Sequence, residues 1–365
     1  MIIVTGGAGF IGSNLVHELN AHGYTDVLVV DNLSNESTPA QQKIGGHPEQ
    51  KFLNLNGAQF ADYMDKGEFR RAIAAGDFSN VPIRAILHQG ACSNTLEDDG
   101  RYMMDNNFVY SKELLHFALP RGIPFVYAST AATYGLSEKF APVAENERPL
   151  NIYGWSKLVF DNYVRRLLGA ESSAPKSTVV GLRYFNVFGP REQHKGRMAS
   201  VIHHFAKQLR ETGVIQMFEG SGGYGPGEQR RDFVYVRDLC RMNLFLAGLD
   251  EGAAAVSQVA IPMGDVVVVP SSAAAPVYHG VVNAGTGHAH TFKQVADAIM
   301  RTLSPELKQP GKIEFIPFPA DLAGRYQHFT EADISSLRAL GYAAPFTGLA
   351  PAIGETFTAE KSLSR

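Results

Sequence analysis

Cysteine is nearly absent. Cys92 and Cys240 are the only two in 365 residues, which excludes a disulfide framework and fits a reducing cytoplasm. No sign of charge dominates either: 33 Lys and Arg face 36 Asp and Glu, a net charge of −3. Charge therefore gives no reason to expect nucleic acid or a membrane as partner. Long apolar runs are missing too. The most apolar later stretch, Val266-Val-Val-Val269, is far too short to span a bilayer and meets Pro270. The chain enters a strand at Met1-Ile-Ile-Val4, so we expect no signal peptide and a cytoplasmic location. What remains, 45% hydrophobic and 19% charged residues, is the composition of an ordinary soluble enzyme. A length of 365 residues exceeds one core, so two lobes are expected.

The first half alternates short apolar runs with helical patterns, which reads as β-α units on a parallel sheet. Ile2–Val4, Val27–Val30, Ala85–His88, Phe125–Tyr127 and Val179–Leu182 read as strands. Gly12–Ala21, Leu96–Leu119 and Ser156–Leu168 read as helices. Ser34–Gln50, rich in Ser, Pro, Gln and Gly, reads as a mobile loop, and Gly220–Gly227 as a flexible surface loop. Ala253–Pro276 reads as a partly ordered insertion.

Between the first strand and helix stands Thr5-Gly-Gly-Ala-Gly-Phe-Ile-Gly12, with G-x-G-x-x-G from Gly7 to Gly12. Gly6, Gly9 and Gly12 permit a tight turn, and the backbone can approach a pyrophosphate at the helix N-terminus beside Phe10 and Ile11. Asp31 ends the next strand, about 20 residues on, where an acid usually bonds the adenosine ribose and favours NAD. Asn32 follows it, and Lys51 and Lys66 lie downstream, where an amine folding over the ribose would accept a 2′-phosphate. These residues leave NAD and NADP both open. Gln89-Gly90-Ala91-Cys92-Ser93 follows another strand as a small-residue turn on which a cofactor can pack, and Asn106 lies in a helix nearby.

Ala128-Ser-Thr-Ala-Ala-Thr-Tyr-Gly135 ends a strand at the edge where open α/β sheets bind ligands. Thr130 is the candidate hydroxyl for a substrate oxygen, with Ser129 its close competitor. Downstream, Tyr153-Gly-Trp-Ser-Lys157 pairs a phenol with an amine one helical turn apart. A lysine beside a tyrosine favours the phenolate and lowers its pKa from about 10, which suits a general acid/base. No metal site is expected.

The glycine loop, the hydroxyl turn and Tyr153–Lys157 resemble the extended short-chain dehydrogenase/reductases that act on nucleotide sugars. Tyr102–Asn107, Arg183–Glu192, His194–Gly196, Met198–Ser200, Phe218–Ser221, Arg231–Val236 and Gly324–Gln327 are similar to the ADP-L-glycero-D-manno-heptose 6-epimerase branch. The likeness covers nearly the whole chain. It implies a Rossmann-type doubly wound parallel sheet (α/β) with a smaller α/β substrate-binding domain. Residues 1–183, with 232–286 returning, would hold the dinucleotide; 184–231 and 287–365 would hold the substrate. Tyr153 and Lys195 would be the two acid/base residues, with Lys157 supporting Tyr153 and the nicotinamide ribose. Phe10, Ile11, Asp31, Asn32, Lys51, Lys66, the Gln89–Ser93 turn, Asn106 and Val187 would contact NADP. Asn186, Lys195, Arg197, His204, Phe218, Glu219, Gly220, Ser221, Arg231 and Tyr326 would surround ADP-heptose. The resemblance further implies a homopentamer whose product feeds the inner core of lipopolysaccharide.

This chain carries Thr130 where these epimerases usually carry serine, Gln89 for glutamate and Arg197 for serine. The stretches Ser34–Gln50, Gly222–Gln229 and Ala253–Pro276 are longer than usual. Dehydratases on this scaffold need an acid pair after the hydroxyl turn, where Ala131 and Ala132 stand. A UDP-hexose 4-epimerase and a non-catalytic dinucleotide-sensing protein are the alternative readings. The second has no need of the Tyr153, Lys157 and Thr130 set.

Overall fold

The computed structural model of the chain describes residues 1–34, 50–170, 177–250, 267–269, 277–319 and 326–363. Most of the Ser34–Gln50 and Ala253–Pro276 stretches, with Gly324 and Arg325, lie outside the described residues.

Strands β1 (Ile2–Thr5), β2 (Val27–Asp31), β3 (Asp62–Asp65), β4 (Ala85–His88), β5 (Phe125–Thr130) and β6 (Val179–Tyr184) run parallel, in the order β3-β2-β1-β4-β5-β6. Next come β7 (Asn186–Phe188), β8 (Val214–Phe218) and β9 (Arg230–Tyr235), outside this sheet. β10 (Val267–Val269) and β11 (Val277–Ala284) return to it: β11 lies parallel to β6, and β10 adds an antiparallel edge. β12 (Ala289–Thr291) joins β9 and β7 in a small sheet, and β13 (Lys312–Ile316) pairs with β8. Seven parallel strands, covered on both faces, explain why β1, β2, β4 and β6 are buried at every position and read as unbroken apolar runs.

The helices are α1 (Phe10–Ala21), α2 (Lys66–Ala75), α3 (Gly100–Met104), α4 (Tyr110–Ala118), α5 (Ile152–Ala170) and α6 (Val201–Thr212). Then follow α7 (Val236–Leu246), α8 (Phe292–Leu303), α9 (Ser335–Ala339) and α10 (Leu349–Leu363). Local chemistry sets several ends. Asp65 caps α2 by accepting from the Gly67 and Glu68 amides, and Gly76 ends it in the left-handed region. Thr291 and Gln294 form a capping box at α8.

Three readings change. The helix expected over Leu96–Leu119 starts at Gly100, capped by Asp99, and is broken by a π-turn at Asp105–Val109. There the Asn107 side chain bonds both the N–H and C=O of Cys92, tying the bulge to the turn after β4. The helix expected from Ser156 begins at Ile152, so Tyr153 and Lys157 share its first turns. β3 and α2 were not foreseen. β3 is half exposed at the sheet edge, and its Asp-Tyr-Met-Asp sequence has no apolar run.

One apolar cluster joins a face of the large sheet to the second lobe. It runs from Val4, Leu15 and Val29 through Leu239 and Leu244 to Phe205, Ile299 and Ile353. α7 makes the junction, continuing directly from β9 and packing on α1. On the other face Phe69, Tyr110, Phe125, Phe160 and Val164 form a second core.

Between α5 and the sheet lies a buried charge pair. Arg183, on β6, meets Asp161 of α5 at 2.9 Å, and both side chains are wholly buried. Ser129 and Tyr127 of β5 donate to the same carboxylate at 2.8 and 3.1 Å, and Glu147 meets Arg183 at 2.6 Å. Removing one member of a buried pair strands the other's charge, a loss of about 3–5 kcal/mol. Asp161→Ala should lower the unfolding free energy by that amount in urea denaturation; a change below about 1 kcal/mol would mean Glu147 alone compensates Arg183.

Candidate active site

Parallel strands put their C-terminal ends along one edge, and there the site is built. β1 ends at Thr5, in register with Val30 of β2 and His88 of β4. The glycine loop then turns into α1. Gly6 takes φ +65°, and a Cβ on it would stand 2.7 Å from the Gly90 nitrogen. A Cβ on Gly12 would strike the Gly6 carbonyl. Gly9 caps α1 without any side-chain bond, leaving the first-turn amides to a ligand. A dinucleotide pyrophosphate fits this cradle, which side chains would fill. Across the edge, Gly90 N–H donates to Thr5 Oγ1 at 3.1 Å, holding the Gln89–Ser93 turn against the loop. Gln89 lies deeper, accepting from the Tyr184 hydroxyl at 2.8 Å. Cys92 is buried at the Asn107 contact.

At the end of β2, Asp31 is buried, accepts from Ala8 N–H at 3.0 Å and pairs with Lys51 at 2.8 Å. Asn32 is exposed and accepts from Ser34 N–H. Lys66, at the start of α2, donates to Asn106 at 2.5 Å, and Asn106 donates to the Tyr102 carbonyl. These residues form a second cluster beyond the glycine loop, with a lysine ammonium paired to its acid.

The alternation of β5 separates the two hydroxyl candidates. Ser129 points inward to Asp161, whereas Thr130 borders an open cleft of about 730 Å³ and accepts from Ala132 N–H at 3.1 Å. Asn151 holds the start of α5 by accepting from Gly154 N–H. Gly154 lies so close to the Ala132 carbonyl that a Cβ would approach it to 2.8 Å. Tyr153 thereby reaches the same cleft as Thr130. Lys157, one turn on, is buried and donates to the Ala128 carbonyl at 2.8 Å. Burial pushes its ammonium down to about 8, against the opposing pull of Asp161.

The cleft also gathers Phe10, Ile11, Ser93, Asn186, Val187, Lys195, Phe218, Arg231 and Tyr326 from both lobes. Lys195 sits in a 3-10 segment, Gln193–Met198, with its ammonium 5.6 Å from the Phe10 ring centre. Arg231 is buried, lies 4.8 Å from the Tyr326 ring centre, and has its guanidinium pKa lowered by burial. Other expected residues do not line the cleft. Arg197 and Glu219 are exposed, as is Gly220. His204 is half-buried on α6, its pKa lowered by burial and by His203. Ser221 accepts from Gln229 at 3.1 Å. Conversely, Phe185, Glu192, Met198, Phe205, Gln229 and Gln327 line it without having been singled out. Glu192, Met198 and Gln327 stand inside the motifs quoted above, which was the available signal; Phe205 carried none.

Comparison with known proteins bears on this arrangement. The NAD dependent epimerase/dehydratase family matches residues 2–258. This chain belongs to that family. Among epimerases, an ADP-L-glycero-D-manno-heptose-6-epimerase of Alkalilimnicola ehrlichii is 51% identical over 341 residues, 93% of this chain and 91% of that protein. The solved structure of the Helicobacter pylori ADP-L-glycero-D-manno-heptose-6-epimerase superposes with a TM-score of 0.74 at 27% identity, covering 99% of this chain and 96% of that one. A UDP-glucose 4-epimerase from Thermotoga maritima, solved with UDP-glucose, matches with a TM-score of 0.71 at 25% identity over 100% and 99% of the chains. Among the described residues, no helix is long and apolar enough to cross a membrane.

The buried lysine of this epimerase has a measurable signature. With dinucleotide absent, folded Lys157 releases its proton near pH 8, whereas the unfolded chain keeps it to about 10.5. Between these values the unfolded state binds more protons, so the stability this group contributes rises with pH and is lost as pH falls to 8. Lys157→Met should remove that rise in denaturant midpoints measured from pH 8 to 10; an unchanged slope would place its titration elsewhere.

Proposed function

We propose that this chain is an isomerase, an ADP-L-glycero-D-manno-heptose 6-epimerase, which inverts C6 of ADP-D-glycero-D-manno-heptose. The observation that carries the reading is the meeting of Tyr153, Thr130 and Lys195 on one cleft at the strand edge, beside the glycine cradle. The relative bearing that name shares far more identity with this chain than the UDP-glucose 4-epimerase does, which favours the heptose substrate.

An unactivated carbinol carbon has no carbonyl beside it to stabilise a carbanion, so inversion needs a planar ketone. A bound nicotinamide dinucleotide supplies the hydride acceptor and donor. Tyr153 takes the hydroxyl proton, and Thr130 bonds the substrate oxygen. The Lys157 ammonium favours the phenolate. Returning hydride to the opposite face requires the ketone end to turn, and in that pose Lys195 handles the proton. Of the residues expected around the substrate, Asn186, Phe218, Arg231 and Tyr326 border the cleft and hold it; Arg197, His204, Glu219, Gly220 and Ser221 stand outside that lining. In this division, residues 1–183 and 232–286 serve the dinucleotide, and 184–231 and 287–365 the substrate.

The cofactor class is a nicotinamide dinucleotide, by family; within it we infer NADP. Lys51 neutralises Asp31, which would otherwise repel a 2′-phosphate, and Lys66 adds a second cation near Asn106. Family likeness is the ground for inferring a cytoplasmic homopentamer.

Tyr153→Phe should cut C6 inversion, followed by NMR, about 10²–10⁴-fold while leaving dinucleotide affinity intact. Activity within a few-fold of the parent would remove Tyr153 as acid/base. In titrations of cofactor-free protein, NADP should bind more tightly than NAD, and Lys51→Ala should erase much of the difference; a parent preferring NAD would overturn the NADP reading.

A further inference from the structure

The segment that carries Lys195 is fastened to the dinucleotide loop by side chains outside the Tyr153, Thr130 and Lys157 set. Asn54 lies on the 3-10 turn Lys51–Leu55 and is buried. One amide hydrogen of its Nδ2 goes to the Ala8 carbonyl in the glycine loop, at 3.0 Å. The other goes to His194 Nδ1, also at 3.0 Å. Because Nδ2 can only donate, His194 Nδ1 must accept, which requires a neutral ring with its proton on Nε2. The surroundings favour that form: burial, with the Lys195 and Lys51 cations adding to it, lowers the ring's pKa to about 4. The Asn54 carbonyl is bonded in turn to His17 Nε2 of α1 at 3.1 Å. The beginning of the same segment is tied to α1 as well. Asn14 donates to the Pro190 carbonyl at 2.9 Å and accepts from Arg191 at 3.2 Å. Arg191 is held at φ +74°, a conformation that a residue bearing Cβ keeps only when its neighbours impose it.

We propose that Asn54 and His194 are positioning residues: a latch that sets the Lys195 amine at a fixed height over the start of α1 and so makes it usable as the second acid/base. This rests on the role given to Lys195 above. Lys195 follows His194 directly, so freeing the His194 ring frees the amine's backbone. A displacement of about 1 Å can cost about 10²-fold in rate. Lys51 and Asn54 stand on one short turn, Lys51 on Asp31 and Asn54 on Ala8.

Two measurements on full-length protein test this, with His194→Leu, His194→Asn and Asn54→Ala. The first is kinetic. His194→Leu and Asn54→Ala should lower kcat for C6 inversion by about 10²-fold with KM and dinucleotide affinity within a few-fold of the parent. Single-turnover reduction of the nicotinamide, followed by near-ultraviolet absorbance, should persist because it uses Tyr153. His194→Asn keeps an acceptor and should recover most of kcat. The second measurement needs no substrate. Acylation of Lys195 by a limiting acylating reagent, quantified by mass spectrometry, should quicken several-fold in His194→Leu and return toward the parent rate in His194→Asn. An unchanged Lys195 labelling rate, or parental kcat in both His194→Leu and Asn54→Ala, overturns the latch. So does loss of dinucleotide affinity in step with kcat, which marks a merely structural contact. If the parent fails to invert ADP-heptose while labelling shifts as expected, the assigned reaction falls and the latch stands.

Discussion

A charge held where water cannot reach it organises this active site. Arg183 and Asp161 are buried between α5 and the sheet, and each needs the other. Their pairing fixes how α5 lies across β5 and β6, and α5 carries Tyr153 and Lys157. The same carboxylate accepts from Ser129, the hydroxyl that the pleat of β5 turns away from the cleft. It also opposes the loss of the Lys157 proton that burial promotes. One ion pair thus sets the helix, engages the inward hydroxyl of β5 and adjusts the amine one turn from the phenol. Such pairs add little net stability; their use here is to make one arrangement better than its neighbours.

What the sequence made legible was local or periodic. β1, the glycine loop and α1 follow from an apolar run, fixed spacing and a helix start. Tyr153 and Lys157 follow from a four-residue interval. A parallel sheet could be anticipated from apolar runs alternating with helical patterns, whereas its strand order was not read from the sequence. β3 was hidden because an edge strand has no need of buried side chains on both faces. The π-turn at Asp105–Val109 was hidden because its cause is a side chain reaching the turn after β4. The start of α5 was misjudged because Asn151, which caps it, lies among turn-like residues.

Within the site, the division is similar. Residues at strand ends declared themselves, since topology sends all such ends to one edge. Contacts between distant segments did not. Asn54 and His194 are 140 positions apart, and neither stands in a pattern that joins them. Ser129 and Thr130 were equivalent as letters; the pleat of β5 distinguishes them. Glu219 belongs to a quoted motif yet is exposed, whereas Phe205 belongs to none and borders the cleft.

β9 passes into α7 without an intervening linker, and α7 packs on α1. A hinge needs residues free to change their backbone angles at little energetic loss, and this junction is regular structure packed into the shared core. Separating the lobes here would wet Leu239, Leu244 and their partners. The two walls of the cleft are therefore joined here by regular structure and a shared core rather than by a linker. On the proposed reaction, the room for the sugar to turn is then the cavity these walls already enclose.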